Sequence, residues 1–137
     1  GPMIRAIAMF VLLCAFASLQ AITKPLRAAT PGCTRAGLQS TADQYVQALK
    51  AGNSSLLPLA AQARYIENRK TTAMDQGIWK APLVVDFSRS LLDVDICESF
   101  TEVISANTPH PYVIGTRLKV EDGKVVAFRA KAGVKGE

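Results

Sequence analysis

The chain has 137 residues, 49% of them hydrophobic, which is apolar material for one domain with a core. Its net charge of +5 is scattered, with Arg69-Lys70 the only adjacent basic pair. No basic run interleaves with aromatics, which argues against a nucleic-acid partner.

Taken in order, Gly1-Pro2 ahead of Met3 reads as the scar of tag removal. Residues 3–21 place Arg5 before a short apolar run and small residues, the layout of a secretory signal peptide cleaved after Ala17 or Ala21. The apolar run from Ala6 to Ala17 is about 12 residues, short of the ~20 that a membrane helix needs. The alternative is a retained hydrophobic helix, and only then is membrane association expected. Loss of Arg5 with the segment lowers the net charge to +4.

Cys14 lies inside that segment, which leaves Cys33 and Cys97. An even number in an exported chain points to a disulfide, with two buried free thiols as the alternative. Closing a loop of about 64 residues would add ~3–5 kcal/mol. With one histidine and no Cys/His spacing, no metal is expected. No phosphate-cradling glycine loop and no Gly-x-Ser-x-Gly elbow is present, so neither cofactor nor nucleophilic triad is expected.

Thr23 to Gly32 reads as an extended lead-in. Leu38, Ala42, Tyr45, Val46 and Leu49 then form one apolar stripe at the helical period, with Thr34 as the cap and Gly52 as the left-handed stop. Asn53-Ser54-Ser55 is a glycosylation acceptor in a secretory pathway and a turn or helix cap otherwise. Ser55 to Ala61 suggests a helical turn broken near Pro58. Ala63 to Asn68 alternates as a strand does, and Gly77-Ile78-Trp79 suggests a short helix or turn.

From Pro82 to Ala130 the chain is strand-like, with Asp122-Gly123 as a tight hairpin turn. Asn107 to Pro111 interrupts it, since two prolines cannot sit in a central ladder. The order predicts an α+β domain: a cone-shaped, curved antiparallel sheet with N-terminal helices packed on its concave face. A cavity is expected where helix and sheet do not touch.

Five stretches carry a resemblance: Cys33-Thr34-Arg35, Tyr65 to Asn68, Arg89 to Asp93, Cys97 to Glu102, and Pro111 to Leu118. Together they resemble a group of small secreted fungal proteins known mainly as a domain of unknown function. That group is similar in fold to the SnoaL-like, or nuclear transport factor 2-like (NTF2-like), superfamily. The resemblance covers residues 33–130 and leaves 131–137 as a tail. Relatives continue past the last strand with a Trp-containing segment; its replacement here implies an opened cone, or an edge that a second copy covers in a homodimer.

The superfamily hosts isomerases, cyclases, dehydratases and non-catalytic binding domains on one scaffold. The resemblance therefore implies a cofactor-independent small-molecule enzyme, with a non-catalytic secreted ligand- or protein-binding domain as the alternative. Its ligand would be a small apolar metabolite held in the cone. Glu67, Asp86, Arg89 and His110 are the catalytic candidates: a carboxylate or the one histidine as base, Arg89 or Tyr112 stabilising negative charge. Tyr65, Trp79, Phe100, Tyr112 and Arg117 are candidates for binding. Strand period sets Tyr65 and Glu67 on one face, Arg89 and Asp93 on one face, and Tyr112 and Arg117 on opposite faces. An ion pair of Arg89 with Asp93 or Glu102 is the structural alternative.

Overall fold

The computed structural model describes residues 32–106 and 111–134. The expected signal segment, residues 3–21, and His110 lie outside the described residues.

Helix α1 spans Arg35–Ala51 and buries Leu38, Ala42, Tyr45, Val46 and Leu49, the stripe that the helical period picks out. The Thr34 hydroxyl accepts from the Gly37 N–H at 3.0 Å, and Gly52 closes the helix in the left-handed region at φ 61. It is the single α-helix among the described residues. The expected turn after it is a 3₁₀ turn at Ser54–Leu56, and a strand then starts at Leu59. Pro58 explains the early switch: its fixed φ and missing N–H end helical winding before Leu59.

Six strands follow among the described residues: β1 (Leu59–Glu67), β2 (Lys70–Thr71), β3 (Phe87–Asp93), β4 (Glu98–Ser105), β5 (Tyr112–Glu121) and β6 (Lys124–Val134). A second 3₁₀ turn, Gly77–Lys80, lies between β2 and β3. The strands form one sheet in the order β2-β1-β6-β5-β4-β3. It is mixed where a wholly antiparallel sheet was expected, because β1 pairs parallel with β6. No turn joins those two strands, so no local signal sets their direction. β6 runs beyond Ala130 to Val134 and lies inside the sheet; the edges are β2 and β3.

Alternation assigns the two faces. Ser99, Thr101 and Val103 of β4 and Ile114, Thr116 and Leu118 of β5 are buried under α1. Phe100, Glu102, Val113, Gly115 and Arg117 look the other way. On β6 the register slips: Val120 pairs with Val125 but Lys119 with Ala127, so Val126 is an extra residue. Such a bulge bends and twists the strand. It keeps Val125, Phe128 and Ala130 inside and turns Ala127, Arg129 and Lys131 outward.

A disulfide joins Cys33, ahead of α1, to Cys97, ahead of β4, with Cα atoms 5.8 Å apart. It spans a separation of 64 residues, and restricting the unfolded chain by that loop is worth about 4 kcal/mol. The helix is thereby pinned to the sheet at its first turn.

Candidate functional site

The space between helix and sheet is packed with aromatic rings. Tyr65 of β1 stacks on Phe128 of β6, centroids 4.4 Å apart, and meets Trp79 edge-on at 6.2 Å. Tyr45 of α1 meets Trp79 at 5.6 Å, nearly perpendicular. All four rings are at most 2% exposed. Such pairs contribute roughly 0.5–1.5 kcal/mol each beyond the area they bury.

The polar atoms of this cluster hold the structure together. Tyr45 and Thr116 share a hydroxyl–hydroxyl hydrogen bond between helix and β5. Tyr65 donates to the Glu67 carboxylate, which also accepts the Ile78 N–H at 2.9 Å. Gly77 makes the second bond feasible: a Cβ there would lie 2.0 Å from Glu67 Oε2, at a φ of 72 that side chains rarely adopt. Burial pushes the pKa of Tyr45 and Tyr65 well above the ordinary phenol value, and for Tyr65 the bond to Glu67 pushes the same way. Both phenols stay protonated, and Tyr65 donates to Glu67. Trp79 Nε1, Ser99 Oγ and Ser105 Oγ are buried without a hydrogen-bond partner among the described residues.

A large concavity lies on the opposite, open face. It has a volume of about 760 Å³, with Ile66, Phe100 and Gly115 as its floor and Arg69, Arg117, Arg129 and Lys131 around it. The Phe100 ring lies over Gly115, where an added Cβ would come within 3.0 Å of its Cζ. Phe87, Leu91 and Val113 are further exposed apolar side chains of this face.

The candidates from sequence thus divide. Tyr65, Glu67 and Trp79 meet in the aromatic interior. Phe100 and Arg117 meet on the open face as register partners on β4 and β5. Arg89 is on that face too, paired with Glu102 at 2.6 Å, while Asp93 accepts the Asp95 N–H in the β3–β4 turn. Asp86 precedes β3 at the rim and accepts the Ala106 N–H at 2.6 Å. Tyr112 is half-buried on the inner face, opposite in direction to Arg117. Glu67, Asp86 and Arg89 therefore occupy three separate places. Asn53 is exposed and caps the first 3₁₀ turn, its Oδ1 accepting from the N–H and hydroxyl of Ser55.

Sequence reasoning placed Tyr45 on the buried stripe of α1 but passed over Phe128 as an interior neighbour, and passed over Arg69, Arg129 and Lys131 as neighbours of Arg117. Counting outward from the Asp122-Gly123 turn pairs Arg117 with Phe128; the extra Val126 makes the partner Arg129. No described cluster of three His, Cys, Asp or Glu side chains suits a metal ion. No described helix is long and apolar enough to cross a membrane.

No family model and no curated protein matches this chain. Solved structures do. The chain is similar to AusH from Aspergillus nidulans at a TM-score of 0.57 and 15% identity, covering 74% of this chain and 86% of that one. It is similar to an NTF-2 like protein of unknown function from Burkholderia xenovorans LB400 at 0.55 and 13%, covering 74% and 87%. A de novo designed protein with a curved β-sheet matches at 0.54 and 19%, covering 73% and 88%. At these identities the likeness is one of fold: an NTF2-like α+β architecture.

Proposed function

We propose that this NTF2-like domain is a small-molecule-binding module whose ligand lies on the open face of the sheet. One observation carries the reading. The place where the scaffold would hold an apolar pocket with an acid/base group is filled by Tyr45, Tyr65, Trp79 and Phe128, and Glu67 is committed to Tyr65 and Ile78. A carboxylate holding two donors in a packed core serves as a structural fastener rather than a free base. The open face, by contrast, offers a concavity with an apolar floor and convergent polar groups, the usual make-up of a ligand site.

A cofactor-independent isomerase, cyclase or dehydratase is the second reading. It draws on the unpartnered Trp79 Nε1, a buried donor inside the same aromatic cluster. The Cys33–Cys97 disulfide supports an oxidising compartment and hence secretion, with residues 3–21 as the leader.

The test is native mass spectrometry of protein secreted by a eukaryotic host, incubated with a host metabolite extract. Binding predicts a ligand released unchanged, lost in Phe100→Asp and kept in Glu67→Gln. A released molecule of altered mass, or an adduct lost in Glu67→Gln but kept in Phe100→Asp, would restore the enzyme reading.

A further inference from the structure

We propose that the open-face concavity takes an organic anion, a carboxylate, sulfonate or phosphate head on an aromatic or alkyl body. The inference rests on the binding reading above and names the ligand's chemistry.

Arg117 and Arg129 face each other as register partners on adjacent antiparallel strands, both outward and exposed. Like charges directly opposite one another destabilise a sheet unless an anion comes between them. Lys131 is the next outward residue of β6, and Arg69 reaches the concavity from the β1–β2 turn. Among the described residues no acidic side chain lines it. The acids of the face lie outside that lining: Glu102 pairs with Arg89 at 2.6 Å, and Glu98 pairs with Arg117 itself at 3.5 Å, which leaves Arg69, Arg129 and Lys131 as the lining cations that no ion pair among the described residues engages.

Arg69 supplies a second, independent observation. Its φ is 69, a left-handed conformation that a residue with its side chain adopts at a cost, and Asn68 before it has φ 48. The turn is tied down, because the Asn68 N–H reaches the Ala130 carbonyl at 2.9 Å and its Oδ1 accepts the Ala132 N–H at 3.1 Å. The backbone that carries the Arg69 side chain is thereby fixed at the rim. Guanidinium groups suit carboxylate, sulfonate and phosphate because their forked donors match paired oxygens.

The floor selects the rest of the ligand. Phe100, 44% exposed and lying over Gly115, and Ile66 offer apolar contact under the cations. The volume of about 760 Å³ falls within that of small-molecule sites. A second copy fits worse: a two-fold contact would set this patch against itself, cation on cation.

The experiment is an amide-resolved NMR titration of the full, disulfide-bonded chain with naphthalenesulfonate and, separately, naphthylmethanol. The sulfonate is expected to shift the amides of Ile66, Gly115 and Arg129, and to bind about tenfold more tightly than the alcohol, as a charge-assisted bond implies. Arg129→Gln combined with Lys131→Gln should weaken the sulfonate about tenfold and leave the alcohol unchanged. Phe100→Ala should weaken both. Equal binding of the two probes on the open face overturns the anion inference and leaves the binding reading standing. Shifts confined to interior residues such as Trp79 and Glu67, or no shift with either probe, overturn both. Association with phosphatidylserine vesicles but not with the sulfonate would assign the face to a membrane surface. Dimerisation that shifts the same amides and excludes the probe would assign it to a second copy. Either overturns the proposal. A thermal melt matching that of the unsubstituted chain confirms that each variant is folded.

Discussion

On β5, Thr116 and Arg117 are neighbours in sequence and belong to different environments. Thr116 is wholly buried and bonded to Tyr45, whereas the Arg117 side chain is 65% exposed and faces Arg129. The same alternation runs through β4, where Thr101 is buried beside an exposed Phe100. One face of the sheet has its rings in contact and most of its polar groups bonded. The other keeps apolar side chains in water and cations beside cations. Stability is thus concentrated on the inner face, even with Trp79 Nε1, Ser99 Oγ and Ser105 Oγ unpartnered there among the described residues, while the open face leaves Phe100, Arg129 and Lys131 to solvent.

The contrast is sharpest in alkali. Tyr45 and Tyr65 have raised pKa values in the folded state, so their stabilisation is complete below the ordinary phenol value of 10.0 and declines as pH rises above it. Phenolate absorbance of these two should appear only together with loss of the circular-dichroism signal. Ionisation of both at pH 10 in a folded chain would break the comparison. Next in size, Phe128→Ala should cost ~3–5 kcal/mol in denaturant unfolding, as truncation of a packed core ring does. Glu67→Ala leaves the Tyr65 hydroxyl and the Ile78 N–H without their acceptor and should cost ~1–3 kcal/mol, with the second 3₁₀ turn losing protection from hydrogen exchange. Smallest are the open-face changes: Phe100→Ala at about 1 kcal/mol or less, and Arg89→Ala at ~0.2–1 kcal/mol, falling in high salt. A Phe100→Ala cost equal to that of Phe128→Ala would mean that the open face is part of the core.

Local chemistry was enough for much of this protein. The stripe of α1, its Thr34 and Gly52 caps, and the Asp122-Gly123 turn all depend on residues within a few positions of each other. The pairing of Cys33 with Cys97 followed from there being two cysteines left to pair. Opposite faces for Tyr112 and Arg117 followed from the strand period. What only the tertiary structure decided depends on distant contacts. The parallel pairing of β1 with β6 joins strands with four others between them in sequence, so no turn sets its register. Whether the inner face would be hollow or filled hung on Trp79 swinging in from a loop between Tyr45 and Phe128. The meeting of Arg117 with Arg129 hung on one extra residue, Val126, which turns each later side chain of β6 to the other face, because a strand repeats every two residues and a single insertion reverses it.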